Sequence, residues 1–349
     1  MLDREVALYR ELRPHLRSIT FVTYGKSREL DFQNRIGDIK VIFNRWRLPQ
    51  RIYMLLLQNT SSRRWGRNVI CKSNQFNGAF VALGATKRAK GKFIARGGYH
   101  YSVNIEREFG ANSKEAVGAR REEARVFNAA NQMVVTTPSI RNSILEQHPL
   151  DPERVSVIPN FVDTDVFQPG PSDNFSSKRI VFIGRLEAPK NLISLVRSMK
   201  DVDAELLLIG TGDKEIELRQ IVNDESLPVR FLGKVPNNDL PKILRSAALF
   251  VMPSHYEGHP KALLEAMACG LPVIGSDVPG ICDVIQHNVN GYLCSTSPNE
   301  IRSAIEALLG NKGLRTELGA NAKKYIDENC SLERVKDMEL QVLKQVIQE

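Results

Sequence analysis

The residues best suited to chemistry lie between two strand-like segments, Ala248–Pro253 and Pro272–Ser276. The chain between them reads E-G-H-P-K-A-L-L-E-A-M-A-C-G from Glu257 to Gly270. Pro260 is expected at the first helical position, because a proline there loses no hydrogen bond. Glu257 is therefore predicted to lie on a strand-to-helix loop, beside the N-terminal amides of a helix.

The helix that follows this loop can hold an anionic or hydroxylated ligand. Amides at a helix N-terminus carry partial positive charge, so those of Gly258, His259 and Lys261 are candidates to bind a phosphate or a sugar hydroxyl. Glu265 is expected about one and a half turns into the helix, where its two carboxylate oxygens could accept both hydroxyls of a ribose. Glu257, on the loop, is then left for a sugar of the same ligand.

A second motif, Gly184-Arg-Leu-Glu-Ala-Pro-Lys190-Asn191, also follows a strand and precedes a helix. Gly184 allows a close approach of neighbouring backbone. Arg185 and Lys190 are placed to converge on a diphosphate, where the guanidinium can bind two oxygens and the ammonium adds a point charge. Such cations stabilise the charge that develops on a departing nucleoside diphosphate, so Arg185, Lys190 and Glu257 are the predicted catalytic residues.

Short apolar runs alternate with segments of helical periodicity, which predicts two α/β domains with parallel sheets and helices on both faces. The predicted strands of the first half are Ile19–Tyr24, Ile39–Phe43, Asn68–Lys72, Phe93–Arg96, Met133–Thr136 and Val155–Ile158. Those of the second half are Arg179–Gly184, Glu205–Gly210, Val229–Gly233, Leu249–Pro253, Pro272–Ser276 and Gly291–Cys294. The two motifs follow the first and the fourth strand of the second half.

Prolines and a glycine between Pro159 and Pro171 interrupt both periodicities and mark the domain boundary. We expect an N-terminal domain over 1–160, a linker over 161–175, a C-terminal domain over 176–325 and a helix over 326–349 that packs back towards the first domain. The chain starts with an amphipathic segment at Leu2–Leu12, whereas a doubly wound domain normally opens with a strand. The N-terminal domain is therefore expected to lack its first strand, and activity is expected to depend on that segment.

The charges are divided unevenly between the halves. Residues 1–150 hold 26 Lys and Arg against 12 Asp and Glu, whereas residues 151–349 hold 22 against 28. Thirteen basic residues and no acidic one lie between Ile39 and Ile105. Such a field attracts anionic lipid headgroups or a lipid-phosphate acceptor, whereas the motifs of nucleic-acid-binding domains are missing. A solvated basic surface without a partner is the alternative.

Other classes of protein and site find little support in the sequence. Without an apolar run of about 18 residues or a signal peptide, the expected location is cytoplasmic, with peripheral association at the inner membrane face. Asp163-Thr-Asp165 resembles a metal-binding pair but lies in the predicted linker, and His255, His259 and His287 lack ligand spacing. Gly210-Thr-Gly212 lacks the third glycine of a dinucleotide fingerprint. No metal and no cofactor are expected, apart from a nucleotide sugar as co-substrate.

Taken in order, the motifs resemble those of one enzyme family. After the strand with G-R-x4-K-N come a Gly-x-Gly turn at Gly210–Gly212, F-L-G-K-V-P at Phe231–Pro236 and P-S-x-Y-E-G-x-P-x3-L-E-A-M-A-C-G-x-P-V-I from Pro253. The pattern covers roughly residues 154–305 and resembles glycosyltransferase family 4. That family has the GT-B fold, in which two Rossmann-like domains face a cleft.

The resemblance implies a retaining, metal-independent transferase that moves a sugar from a nucleotide-diphosphate sugar to an acceptor hydroxyl. The C-terminal domain would hold the donor, and the N-terminal domain a saccharide or lipid-linked acceptor. Such an enzyme would serve polysaccharide, lipopolysaccharide or glycolipid assembly. The leaving phosphate would take the proton of the acceptor, so no side-chain nucleophile is required.

Residue by residue, the resemblance assigns Arg185 and Lys190 to the donor diphosphate, Glu257 to the donor sugar and Glu265 to the ribose. The remaining donor-binding candidates are Gly184, Gly210, Phe231, Val235, Gly258, His259, Pro260 and Lys261, of which Phe231 to Val235 would line the base pocket. The candidates on the acceptor side are Arg96, Gly97 and His100. Arg96 stands where related enzymes often carry a histidine, which leaves a surface arginine beside a turn as the alternative.

Two other functions are compatible with the same fold. A truncated or inactive relative could bind a nucleotide sugar without turnover. A turnover assay distinguishes such a protein from an active enzyme. A sugar-nucleotide epimerase of GT-B fold would need acidic residues in the first domain, where they are scarce.

Overall fold

The structure, a computed structural model, describes residues 2–25, 36–60, 69–170 and 178–348. The chain divides into two compact units: unit 1 comprises Met1–Ile158 with Val335–Glu349, and unit 2 comprises Pro159–Arg334. Residues 171–175 of the predicted linker and 176–177 of the predicted C-terminal domain lie outside the described residues, as do Arg63, Arg64 and Arg67 of the basic segment.

The strands of both units lie close to the predicted positions. In unit 1 they are β1 (Thr20–Val22), β2 (Lys40–Ile42), β3 (Ile70–Lys72), β4 (Lys92–Gly97), β5 (Gln132–Val135) and β6 (Val155–Val157). In unit 2 they are β7 (Arg179–Ile183), β8 (Glu205–Ile209), β9 (Val229–Gly233), β10 (Leu249–Met252), β11 (Val273–Ser276) and β12 (Tyr292–Cys294). Every pairing between these strands is parallel, as the alternation of strands and helices predicts.

Helices connect and cover the strands. In order along the chain they are α1 (Leu2–Leu12), α2 (Gln50–Thr60), α3 (Ala79–Ala89), α4 (Tyr101–Phe109), α5 (Lys114–Ala129), α6 (Pro138–Gln147), α7 (Leu192–Ser198), α8 (Glu215–Asp224), α9 (Leu240–Arg245), α10 (Lys261–Ala268), α11 (Pro298–Gly310), α12 (Lys312–Asn329) and α13 (Leu332–Gln348). None of the helices in the described ranges combines the length and hydropathy that crossing a bilayer requires.

The strands of unit 1 form two parallel sheets within the described residues. β1 pairs with β2, and a separate sheet has the order β3-β4-β5-β6. The sequence predicts the strands but treats them as one sheet. Alternation along the chain gives the type and order of the elements, whereas the choice of neighbours depends on packing between distant segments.

Unit 2 contains one six-stranded parallel sheet of order β12-β11-β10-β7-β8-β9. The chain runs outwards from β7 to β9, then returns to the other side of β7 and runs outwards from β10 to β12. The strand order thus reverses between β7 and β10. In open parallel sheets this switch point leaves a crevice at the carboxyl ends of the two strands, which is where ligands bind.

The core of unit 2 lies on both faces of this sheet, because side chains alternate along each strand. Val181 and Phe250 pack on one face with Leu244 and Met267 of α9 and α10. On the other face the buried partners come from α7, α8 and α11, and include Leu195, Leu218, Ile301 and Ile305. With both faces covered, the edge that carries the strand-to-helix loops remains available for a ligand.

Residues from Val335 onwards belong to unit 1, and a buried carboxylate holds them there. Glu339 of α13 is 1% exposed and contacts Nζ of Lys72 at 2.5 Å and Nη1 of Arg96 at 2.8 Å. Burial raises the pKa of Glu339, but the two cations outweigh that effect and hold it below its ordinary value. The helix is therefore fixed to the ends of β3 and β4 by a charged cluster.

Candidate active site

The candidate site is formed by the loops that follow β7 and β10, the two strands at the switch point. Asn191, in the first loop, has a left-handed backbone with a φ of 53°. Its side-chain amide donates to the carbonyl oxygens of Pro253, at 3.1 Å, and of Thr296, at 2.8 Å. The N–H of His255 donates to the carbonyl of Pro189 at 2.8 Å. These bonds place the two motifs against each other.

Lys190 and Glu257 meet where the two loops come together. Nζ of Lys190 lies 2.5 Å from Oε1 of Glu257, and the two side chains are 18% and 10% exposed. The hydroxyl of Ser254, which is fully buried, donates to the same oxygen at 2.7 Å. The carboxylate is therefore fixed from two sides, and the ammonium is held at the carboxyl ends of β7 and β10.

The loop that carries Glu257 rests on the chain that follows β11. Gly280 has a φ of +83°, and a Cβ added there would lie 2.3 Å from the carbonyl oxygen of Glu257 and 2.6 Å from that of Gly258. The hydroxyl of Ser276, at the end of β11, donates to the carbonyl of Ser254. Only glycine fits at position 280, because backbone rather than a movable side chain occupies the space.

The loops after β7 and β8 lie backbone against backbone. A Cβ at Gly210, whose φ is +136°, would fall 1.8 Å from the carbonyl oxygen of Gly184. A Cβ at Gly212 would fall 2.2 Å from the carbonyl oxygen of Leu186, and the N–H of Leu186 donates to Thr211 at 3.0 Å. The predicted close approach at Gly184 is thus present, and its partner is the Gly-x-Gly turn.

Arg185 lies on the same loop as Lys190 but points into solvent. Its side chain is 75% exposed, and Nη1 contacts Oε1 of Glu187 at 2.8 Å. The structure therefore brings Lys190 and Glu257 together but gives Arg185 a different partner. Its predicted contact with a diphosphate stays a prediction.

The N-terminus of α10 differs by one residue from the expected position. Pro260 has an extended backbone with a ψ of 109°, and the helix begins at Lys261. The prediction that Pro260 is the first helical residue is therefore wrong. Its carbonyl accepts the N–H groups of Leu263 and Leu264, so Pro260 caps the helix.

His259, one residue earlier, is buried and paired with Asn160. Its Nδ1 lies 3.1 Å from the N–H of Asn160, and the Asn160 amide donates to the His259 carbonyl at 2.7 Å. Asn160 follows the predicted domain boundary, and the sequence pattern did not mark it as part of the site. These two hydrogen bonds hold the chain segment that precedes α10, next to Gly258.

Glu265 is 2% exposed on the second turn of α10. Nδ2 of Asn237, in the segment that follows β9, lies 3.4 Å from Oε1 of Glu265. Val235 packs against the core face that includes α10, and the ring of Phe231 lies 4.3 Å below the guanidinium of Arg219. Val235 therefore lies on the same side of the sheet as Glu265, whereas Phe231 packs against the core on the opposite face.

The acceptor-side candidates lie in unit 1, and two of them have internal partners. Arg96 is engaged by Glu339, as described above, and Gly97 is the last residue of β4. His100 is buried, with Nδ1 2.8 Å from Oγ of Ser143 and Nε2 3.2 Å from Oε2 of Glu123. The alternative of a surface arginine is wrong, because Arg96 is only 10% exposed. Contact of these residues with an acceptor stays a prediction.

Known proteins with similar sequences share parts of this chain. An uncharacterized glycosyltransferase of Methanocaldococcus jannaschii is 34% identical over 165 residues, which are 45% of this chain and 42% of that protein. The UDP-Gal:alpha-D-GlcNAc-diphosphoundecaprenol alpha-1,3-galactosyltransferase of Escherichia coli is 32% identical over 178 residues, 46% of either chain. The chain therefore spans about half the length of these curated relatives.

Similarity of fold extends further than similarity of sequence. The crystal structure of HepE from Anabaena in complex with UDP and glucose superimposes with a TM-score of 0.80. It covers 98% of this chain and 96% of HepE at 16% sequence identity. At this identity the comparison establishes the two-domain fold.

Two family models match consecutive parts of the chain. Glycosyltransferase Family 4 matches residues 6–166, and Glycosyl transferases group 1 matches residues 169–325. The first match falls in unit 1 and extends past its boundary with unit 2, and the second carries both donor-side motifs. The chain therefore belongs to glycosyltransferase family 4 and has the GT-B fold.

Proposed function

We propose that this protein transfers a sugar from a nucleotide-diphosphate sugar to an acceptor hydroxyl. The observation that supports this most directly is the contact of Lys190 with Glu257 at the switch point of the unit 2 sheet. A cation and a carboxylate on adjoining loops match the two parts of such a donor, which are a charged diphosphate and a sugar with hydroxyl groups. Family membership points to the same chemistry.

Each donor-side residue has a separate task in this proposal. Lys190 stabilises the negative charge on the diphosphate as the bond to the sugar breaks, and Arg185 adds a second cation from the solvent side. Glu257 accepts hydrogen bonds from sugar hydroxyls, since Ser254 fixes its carboxylate. Glu265, on the following helix, accepts the ribose hydroxyls. The glycine at position 210 lets its loop pack directly against the backbone of Gly184.

We propose that the reaction retains the configuration of the sugar and uses no metal at the donor site. The bond between the anomeric carbon and the phosphate oxygen breaks, and a bond to the acceptor oxygen forms on the same face. The leaving phosphate takes the acceptor proton, so atoms and charge balance without a side-chain base. Cations fixed on the donor loops supply the charge stabilisation that a metal provides in other transferases.

We propose that the nucleotide of the donor is UDP. The Anabaena protein of the same fold was crystallised with UDP, and the E. coli relative is named for UDP-Gal. The acceptor is then a saccharide or a lipid-linked saccharide, and the pathway is polysaccharide, lipopolysaccharide or glycolipid assembly.

Thermal unfolding with UDP, GDP, ADP and dTDP tests the donor assignment. UDP at 100 times its dissociation constant should stabilise the wild-type protein by about 2.7 kcal/mol, and Lys190→Ala should lose most of this effect. Lys200→Ala is the matched control, because Lys200 is an exposed lysine of the same unit. Equal stabilisation of wild type and Lys190→Ala, or none by any nucleotide, would contradict the proposal. Release of UDP from UDP-sugars distinguishes turnover from binding.

We also propose that unit 1 associates with an anionic membrane surface. Arg45, Arg47 and Arg51 are exposed around Trp46, which is 57% exposed and has the Arg45 guanidinium 4.4 Å from its ring. Helix α2 begins in this segment and exposes Ile52, Leu55 and Leu56. Cations beside exposed aromatic and aliphatic side chains fit the interface of an acidic bilayer. This would place the protein at the inner membrane face.

A further inference from the structure

Three titratable side chains meet in the interior of unit 1. Nε2 of His100 lies 3.2 Å from Oε2 of Glu123, and Nε2 of His148 lies 3.5 Å from the same oxygen. The side chains are 5%, 0% and 8% exposed, respectively. Although the distances are short, none of these three atoms has hydrogen-bond geometry with a described group. Buried polar atoms are normally partnered, so this cluster requires an explanation.

The spacing of the three atoms fits the coordination of a metal ion. They all lie within 4.8 Å of one another. In a tetrahedral zinc site with ligands at about 2.0–2.2 Å, neighbouring ligand atoms are about 3.3–3.5 Å apart. The two distances to Glu123 lie at or close to that edge length. Two imidazoles and one carboxylate are also a known protein ligand set for zinc, with a fourth position for water.

The surroundings orient two of the three groups for this purpose. Nδ1 of His100 lies 2.8 Å from Oγ of Ser143, and when Nδ1 donates to that hydroxyl, Nε2 keeps its lone pair. The N–H of Ser102 donates to Oε1 of Glu123 at 2.9 Å, which leaves Oε2 for a further partner. The ring of His148 stands edge-on to Phe127, with centroids 5.0 Å apart. Hydrogen bonds behind the ligands are typical of metal sites.

A small cavity adjoins the carboxylate of the cluster. It is lined in part by Gly97, Tyr99 and Glu123.

We propose that His100, Glu123 and His148 form a structural binding site for one divalent transition-metal ion, zinc being the ion that the ligand set fits best. His100 precedes α4, Glu123 lies within α5, and His148 follows α6. The ion would join these three helices at one point. Its role is to stabilise unit 1, and His100 would then bind the ion rather than an acceptor.

The full chain, freed of metal by a chelator and then dialysed, is the material for the test. Titration with Zn²⁺ against a chromophoric chelator should show one tight site per chain. Zinc at 100 times its dissociation constant should raise the unfolding temperature by about 5–10 °C. X-ray absorption spectra at the zinc edge should show imidazole nitrogen and oxygen ligands at about 2.0–2.2 Å and no sulfur. A folded wild-type protein that binds no zinc tightly, or binds it through sulfur, would overturn the proposal.

Variants locate the ion within the molecule. Glu123→Gln keeps the side-chain volume and an oxygen for the Ser102 N–H, and should lose tight zinc binding, as should His148→Ala. His15→Ala is the control, since His15 is an exposed histidine of the same unit. Circular dichroism of each metal-free variant shows whether that variant is folded. If a variant is unfolded, the X-ray absorption spectrum of the zinc-bound wild-type protein still tests the ligand set. Undiminished zinc binding by folded Glu123→Gln would place the ion elsewhere and refute the site.

Discussion

Lys190 and Glu257 show how two residues that are 67 positions apart become one site. Lys190 follows β7 and Glu257 follows β10, and these two strands are parallel neighbours in the sheet. The topology therefore brings their loops together. The two side chains are largely buried, and the net contribution of the pair to stability is expected to be small, since desolvation offsets most of the attraction. The contact instead fixes the Lys190 ammonium in the place that the proposed function assigns to the donor diphosphate.

Glu257→Gln tests the role of the carboxylate at this scale. The amide retains a hydrogen-bond acceptor for Ser254 but loses the charge opposite Lys190 and one acceptor for sugar hydroxyls. The turnover number for UDP release from the UDP-sugar should fall by about 10²–10³-fold, by analogy with the loss of one preorganised group, and the affinity for UDP should not fall. Glu225→Gln, an exposed substitution in the same unit, is the control. An unchanged turnover number would show that Glu257 has no role in the reaction.

At this scale the sequence predicts the residues that carry charge better than those that hold them in place. Glu257 and Lys190 belong to a motif with a recognisable order of residue types. Asn160 and Asn237 do not, because their partners His259 and Glu265 come from segments distant in the chain. Gly280 offers a weak signal, a glycine after a proline, but its reason is a close contact that only the folded chain shows.

At the scale of elements, the positions of strands and helices follow from the sequence because each has a clear hydrophobic period. The parallel sheet of unit 2 agrees with the alternation of strands and helices, whereas its strand order, with the reversal at β7, comes from the structure alone. The described residues of unit 1 divide their strands between two sheets, and no local pattern distinguishes β2 from β3 in this respect. The start of α10 at Lys261 rather than at Pro260 is also not predictable from the local sequence, since the start of a helix depends on backbone angles fixed by neighbouring segments.

The attachment of α13 is the element-scale feature with the clearest energetic consequence. Glu339→Gln leaves Lys72 and Arg96 buried without a counter-ion, so the free energy of unfolding should fall by about 3–5 kcal/mol at pH 7. Glu333→Gln, on the exposed side of the same helix, should change it by less than about 0.5 kcal/mol. Urea unfolding measures both, and a Glu339→Gln effect as small as that of the control would contradict the assignment.

The pH dependence of this effect has a definite sign. The pKa of Glu339 is lower in the folded than in the unfolded chain, so its stabilisation is complete above its unfolded pKa and is lost as the pH falls towards the folded one. The difference between wild type and Glu339→Gln should therefore shrink below about pH 4.3.

At the scale of the whole molecule, charge is the main difference between the two halves of the chain. The excess of basic residues lies in the first 150 residues, which belong to unit 1, whereas the donor loops lie in unit 2. Counting charges in the sequence is enough to find this asymmetry. The exposed Trp46 and Ile52 beside the arginines are not evident from the sequence, because helical periodicity does not show which apolar face is left uncovered.

Vesicle co-sedimentation tests whether this surface binds lipid. Wild-type protein should bind anionic vesicles at low salt, bind neutral ones weakly, and dissociate as the ionic strength rises. Trp46→Ala with Ile52→Ser should weaken binding to anionic vesicles about tenfold, because apolar contact with the interface is lost. Ile216→Ser is the control, an exposed apolar residue of unit 2. Equal binding to neutral and anionic vesicles would remove the basis of the proposal.

The contact of Lys72 with Glu339 spans 267 residues of chain, and all of unit 2 is synthesised between its two partners. At typical rates of translation the ribosome needs roughly 15–50 s to cover that interval. During this time Lys72 and Arg96, at the ends of β3 and β4, lack their counter-ion Glu339. Unit 2 ends at Arg334, so its last residue is synthesised before Glu339. Unit 1 is thus expected to reach its full stability only after the residues of unit 2 have been synthesised.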